Sequence, residues 1–554
     1  MFLNDYSIIS NHIVIIISFL VPFFLYAEIH YKPSQLFKGF LFQKQPEIIF
    51  DLPRRIEQTK LPLALIIKDC DNYPTKIKEI EIILSDGSET LDKFSIEENL
   101  LIEDKFFSKI YPIDVSPYIG EKLKISCKLS YSTANEDYTL VNNNYPNIEN
   151  EFLSVFIDPD KRPTLSNFQW GDLHCHSHYT EDQVEFGLPL SLYPKIGRSM
   201  GLNFSAITDH SYDLDTTHES WTEEDSDVVK WHDFKSEINT INGKNNQFIL
   251  LPGEEISVDN GRNRTVHMVV LNSDKFFPGS GDSFRKGFFQ NTELYYSEVL
   301  NKLDQNTLAF AAHPCFRPSR LERILLKRGF WNTHDQHNKL TGFQFFNGEY
   351  PNSKGNYREK WKQELLKNRH KLIYAGNDSH GFLNRFISIK TPLVSLNNTS
   401  EHLYGKMLTG VKNTGNSVDK LINGLKNKPT IVSNGPAIDI TLFNHHKKDH
   451  ATLNIFDNEN KAEIGEVLQG KPSQLKMEAE STEYFGKISK IKSYVSDYNS
   501  DKEIEINTYN TSKYNFEANL NLESLPKEGY IRSELYTDKN RFAWTNPVWF
   551  KVQD

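Results

Sequence analysis

The stretch Gly171-Asp-Leu-His-Cys-His-Ser-His-Tyr-Thr-Glu-Asp182 decides how the chain is read. His174 and His176 are two positions apart at the end of the run Phe168-Gln-Trp-Gly-Asp-Leu173. On an extended strand that spacing puts both imidazoles on one face, where they can grip a single ion. A lone His-x-His says little in a chain with 18 histidines, so the weight falls on the motifs further along the chain.

Those motifs share a regular form. Ala206-Ile-Thr-Asp-His210, Leu251-Pro-Gly-Glu-Glu-Ile256, Thr265-Val-His-Met-Val-Val270, Ala309-Phe-Ala-Ala-His-Pro314 and Ile373-Tyr-Ala-Gly-Asn-Asp-Ser-His380 each place His, Asp or Glu within or at the end of a short apolar run. Apolar runs at 204–208, 248–252, 265–271, 308–312, 341–346 and 371–375 alternate with helix-like stretches at 193–200, 225–241, 293–303 and 357–368. Strands wound with helices bring their carboxyl ends to one rim, so the spacing predicts a barrel-like α/β domain over 165–440 with these side chains converging.

Around this domain the pattern is β. Residues 45–160 alternate apolar and polar positions between Asp-Gly, Asn and Pro turns, and residues 441–554 do the same, with Thr545-Asn-Pro-Val-Trp549 read as a final strand. Two β-sandwich-like domains are expected, with a linker at Pro159-Asp-Lys-Arg-Pro163. The run Ile13–Ala27 in residues 1–31 fits a signal-peptide hydrophobic region or a short membrane anchor, so an exported or membrane-anchored, extracytoplasmic protein is expected.

Composition narrows the function. A net charge of -10 argues against a groove tracking nucleic acid, and no nucleic-acid partner is expected. The four cysteines form no Cys-x-x-Cys, which excludes a zinc ribbon; Cys70 and Cys127 could pair in an oxidising compartment, and Cys175 and Cys315 read as packing residues. No P-loop occurs. Gly197-Arg-Ser-Met-Gly201 closes a helix-like segment, the reverse of the strand-to-helix elbow a serine hydrolase needs, so Ser199 reads as a helix-end residue.

Imidazoles and carboxylates together suit zinc, manganese or iron, and two such ions can activate water and stabilise developing charge without a protein nucleophile. As a set the motifs resemble the polymerase and histidinol phosphatase (PHP) family of metal-dependent hydrolases, nearest its carbaryl-hydrolase-like branch, over roughly residues 165–440. The resemblance implies a distorted (βα)7 barrel flanked by the two sandwiches, holding two or three metal ions. It implies that His174, His176, Glu255 and Asp378 hold one ion and that Glu255 bridges to a second on His267 and His313. A third would sit on His210 and His380 with Glu181 or Asp182. Glu255 is preferred to Glu254 because the family carboxylate stands two residues after the glycine, here Gly253.

His210, Arg317 and Arg385 are the candidate catalytic residues, the arginines as grips for a small anionic substrate; Arg262 and Arg264 are further candidates. Asp209, Tyr212 and His178 adjoin ligands and could orient them. The function implied is phosphoester hydrolysis by a metal-bound hydroxide. The alternatives are carbamate, amide or ester hydrolysis, and an envelope binding protein with an inert metal domain.

Overall fold

The computed structural model describes residues 45–144, 152–180, 187–220, 223–283, 288–331, 337–348, 357–367, 370–384, 388–390, 395–397, 402–412, 415–427, 429–444, 461–498 and 501–552. The run Ile13–Ala27 lies outside them. Among the described residues no helix is long and apolar enough to cross a membrane.

Residues 45–157 form two packed sheets. One pairs Glu47–Asp51, Lys60–Lys68 and Phe106–Asp114; the other is built on Thr75–Ser85, Thr90–Ile102, Lys122–Thr133 and Leu153–Ile157. Apolar residues at alternate positions of Thr75–Ser85 and Lys122–Thr133 point to one side, and Ile80, Ile82, Ile125 and Cys127 meet Phe50, Leu63 and Leu65 in a shared core. Cys70 and Cys127 are buried there as free thiols, so the disulfide left open by the sequence is not formed; Cys175 and Cys315 are free and buried as well.

The expected (βα)7 barrel is corrected by the rest of the chain, which is mostly β. Phe168–Cys175, Phe204–Ile207 and Ile249–Asp259 are parallel, as are Leu308–Ala311, Gly342–Asn347 and Leu372–Gly376. Between the two sets, Thr265–Leu271 runs antiparallel to both neighbours. The reason is the link Asn260–Arg264: it is far shorter than the dozen or so residues a crossover to a parallel strand requires, so only a hairpin can form.

Among the described residues no ladder closes the sheet, and Phe168–Cys175 meets the segment just past Leu372–Gly376 only at the bridge of Cys175 with Ser379. The outer edge of Phe168–Cys175 takes Leu408–Lys412 antiparallel, and the sheet continues through Thr430–Ser433, Phe542–Thr545, Glu528–Thr537 and Ile488–Asp497 to Lys502–Lys513. Helices are few and short, Val229–Lys244 being the longest described at 16 residues. The stretch read as one final strand is two, Phe542–Thr545 and Val548–Lys551. The side chain of Asn546 between them accepts from the Ile373 amide at 2.8 Å and donates to its carbonyl at 3.1 Å.

The carboxyl ends of the outer strands are nevertheless drawn together. His176 donates its backbone N–H to the Ser379 carbonyl at 2.8 Å. A Cβ on Gly376 would lie 2.7 Å from the His174 Cβ, so only glycine permits this approach. Asp172 ties the same junction, accepting from the backbone N–H groups of Asn377 at 3.0 Å, Gly405 at 3.1 Å and His174 at 3.2 Å.

The last strands carry a buried ion network that the half-buried Arg358 joins at its edge. Arg532 donates to Glu503 at 2.6 and 2.7 Å and to Glu534 at 2.5 Å, with its guanidinium over Trp361, and Arg358 adds a bond to Glu534 at 2.7 Å. Burial alone would raise the Glu534 carboxyl, but Arg532 and Arg358 outweigh it and hold it below the usual range. Removing the arginine strands two buried carboxylates, so Arg532→Ala is expected to cost about 3–5 kcal/mol in urea unfolding. Because the folded-state value of Glu534 is depressed, its share of stability is present above the unfolded carboxyl value of about 4.3 and is lost as pH falls below it. Acid titration of Arg532→Ala should lack that component.

Candidate metal centre

Glu255 occupies the middle of Ile249–Asp259 and is 1% exposed. Successive strand residues face opposite sides. Glu254 therefore turns away, accepts from the Ser211 hydroxyl at 3.2 Å and lies against Trp231, Phe234 and Lys235, where burial pushes it up to about 8. Glu255 faces the rim, and three imidazole nitrogens surround its Oε2: His174 Nε2 at 3.2 Å, His176 Nε2 at 3.4 Å and His210 Nδ1 at 3.2 Å. Its other oxygen meets His267 Nδ1 at 2.7 Å and His313 Nε2 at 2.9 Å.

Asp378 comes from the strand end beyond Leu372–Gly376 and completes a second set. Its Oδ1 lies 3.4 Å from His174 Nε2 and 3.1 Å from His176 Nε2, which are themselves 3.3 Å apart. His380 stacks on His176 with centroids 4.0 Å apart, and His176, His210 and His380 present ring nitrogens close enough to share an ion. Both His313 and Asp378 hold positive φ, 27° and 52°, a conformation that costs energy in residues other than glycine and is typically retained where a site requires it.

Hydrogen bonds behind the ring set the tautomers. His174 Nδ1 meets Gln344 Oε1 at 2.8 Å; a carbonyl oxygen can only accept, so Nδ1 carries the hydrogen and Nε2 presents its lone pair to the cluster. Gln344 Nε2 in turn donates to Asn347 Oδ1 at 2.9 Å, and Asn347 donates to Asp378 at 3.3 Å. His380 Nδ1 donates to the Asp378 carbonyl at 3.1 Å.

The charges of the cluster are mutually dependent. Burial opposes ionisation of Glu255, yet His267, His174 and His210 around it hold its carboxyl well below the usual range. Burial holds His210 well below, and His313 below, the ordinary imidazole range, which favours the neutral form a metal requires.

The structure thus brings together His174, His176, His210, Glu255, His267, His313, Asp378 and His380. Arg317 is exposed and makes no described contact with them. Arg264 donates to the Arg323 carbonyl at the surface. Glu181, Asp182 and Arg385 lie outside the described residues. Asp209 accepts from the Ser177 backbone and hydroxyl at 2.6 and 2.7 Å, Tyr212 stacks on His210 at 4.6 Å, and Ser199 donates to the Ile196 carbonyl as a helix end. His178 sits against Phe106, and burial lowers it to about 3.

Three residues that the sequence left unmarked support the site. Gln344, Asn347 and Asp282 each hydrogen-bond a cluster residue. Gln344 lies inside an apolar strand, and a buried polar residue there is the one signal that could have flagged it.

No family model and no curated protein matches this chain. Solved structures that match include Bacteroides uniformis β-glucuronidase 2 in a calcium-binding mutant form, at 11% identity and TM-score 0.17, covering 91% of this chain and 60% of that one. They also include a Parabacteroides merdae β-glucuronidase, at 8% identity and TM-score 0.17, covering 93% of this chain and 66% of that one. A putative β-galactosidase from Bacteroides fragilis stands at 7% identity and TM-score 0.18, covering 92% and 74%. This chain spans 60% of the length of the first of these, and overlap at such TM-scores carries no argument about its chemistry. The expected PHP membership is corrected: no family model matches this chain. With it go the phosphoester reading and its carbamate, amide or ester and envelope-binding alternatives.

Asp172 is the buried knot under this rim, and its loss would leave three backbone donors without acceptors. Asp172→Ala is expected to destabilise the fold by about 3 kcal/mol or more, from an unsatisfied-donor cost of about 1–3 kcal/mol per group, read as a lower urea midpoint.

Proposed function

We propose that the residues around Glu255 form a two-ion divalent-metal site, for zinc, manganese or iron, that receives a small anionic molecule from the rim. The supporting observation is the spacing of its donors. Metal–donor bonds of about 2.0–2.1 Å in a tetrahedral shell place neighbouring donors about 3.3–3.4 Å apart. Five of the six separations among His174 Nε2, His176 Nε2, Glu255 Oε2 and Asp378 Oδ1 fall at 3.1–3.4 Å. Glu255 Oε2 is buried without a hydrogen-bond partner, which a carboxylate aimed at a cation explains.

The first ion would be held by those four residues and the second by the other oxygen of Glu255 with His267 and His313. His210 and His380 lie beside His176 in position for a third. Bound divalent ions would supply Lewis acidity and balance the charge of an anionic group held at the rim. The chain's own part is to aim the imidazole nitrogens inward, through Gln344 behind His174, and to exclude bulk water from the His174–His176–Glu255 floor.

Hydrolysis is the reaction class that such a site would serve, and an exported or membrane-anchored setting goes with it as part of the proposal. Elemental analysis of the full-length protein should give at least two divalent ions per chain. His174→Ala and Asp378→Asn should each weaken the first ion by more than the roughly 10–100-fold typical of an outer-shell change. Wild-type protein without stoichiometric metal, or metal binding that His174→Ala and Asp378→Asn leave unchanged, would overturn the reading.

A further inference from the structure

We infer that Asp282 is a positioning residue for the second ion, acting through His267; the inference rests on the two-ion reading above. Asp282 sits in the loop Pro278-Gly-Ser-Gly-Asp-Ser283, away from every strand-end motif, and its side chain is 1% exposed. Its Oδ2 meets His267 Nε2 at 2.9 Å and Arg328 Nε at 2.6 Å, and its Oδ1 accepts from the Ser257 hydroxyl. Ser257 lies on the glutamate strand, two residues beyond Glu255, so the same strand supplies the bridging carboxylate and a clamp on this one.

The arrangement orients the ring. Asp282 Oδ2 lies 2.9 Å from His267 Nε2, and a carboxylate oxygen accepts, so the hydrogen on Nε2 points at it. His267 Nδ1 is then left facing Glu255 Oε1 at 2.7 Å. In the ion-free structure that is a hydrogen-bond distance, and an ion bound to the Glu255 oxygen would take the place of the Nδ1 hydrogen. Asp282 thus turns His267 into a ligand aimed at the oxygen it shares with His313, and fixes the ring from behind as carboxylates do for metal-bound imidazoles.

The test is calorimetric titration of zinc and manganese into full-length apoprotein, with visible spectra of the cobalt(II)-substituted protein as the signature of the second ion's shell. Asp282→Asn keeps the shape but offers His267 a donor as readily as an acceptor. It should weaken the second ion by about 10–100-fold, leave the first unchanged and alter the cobalt bands. Asp282→Glu should recover part of the loss. Ser257→Ala, which leaves the carboxylate in place, should give a smaller loss of the same ion and covers the case in which Asp282→Asn does not fold. If both ions bind Asp282→Asn as tightly as wild type while His267→Ala loses one, the inference fails and the two-ion reading stands. If His267→Ala also binds both ions unchanged, the two-ion reading fails and takes the inference with it.

Discussion

A carboxylate removed from water must be compensated, and Glu255 is the point on which the rim depends. The isolated charge would be expensive to bury, and the chain answers with five imidazoles, those of His174, His176, His210, His267 and His313, at 2.7–3.4 Å from its two oxygens. Those imidazoles are themselves mostly buried, so neither side of the arrangement is stable without the other. Protons can balance the charge in part; divalent cations balance it and also satisfy the lone pairs that hydrogen bonds leave over, such as the one on Glu255 Oε2.

Holding that many polar groups together requires a frame of fixed strand ends. Asp172, one turn of the pleat before His174, gathers the Asn377 and Gly405 amides, so the first and last strands of the rim cannot drift apart. Gly376 removes the side chain that would keep them at ordinary sheet distance. Asn546, from the far carboxyl-terminal strands, then fixes both backbone groups of Ile373. The carboxyl-terminal strands are therefore part of the same sheet as the rim and share its core, where Phe542 and Trp544 pack with Phe346.

Much of the site was legible because its residues obey local rules. His174 and His176 share a strand face by period-two alternation, and the same alternation separates Glu255 from Glu254. Strand positions were legible for the same reason, and Thr265–Leu271 forms over the residues that its apolar run marked. Strand direction was not legible, since an apolar run looks alike whether its neighbour is parallel or antiparallel. Only the length of the link decides, and Asn260–Arg264 is too short for a crossover. The continuation of the sheet into Phe542–Thr545 depends on contacts more than a hundred residues apart, which no local pattern encodes. Asp282 was missed for a related reason. It lies in a glycine and serine loop, where an acidic residue ordinarily reads as a turn former, and its partners are 15, 25 and 46 positions away.

The exposure pattern gives the centre a direction. His174, His176 and Glu255 form a closed floor at 0–1% side-chain exposure, while His313, His210 and Asp378 reach 11%, 12% and 18%. Tyr212 stacks on His210, and Phe316 stands edge-on to His313 at 5.9 Å. Arg328 lies over that Phe316 ring at 5.7 Å while its Nε is held by Asp282. Asp282 connects the histidine cluster to this guanidinium, bonded on one side to His267 and on the other to Arg328.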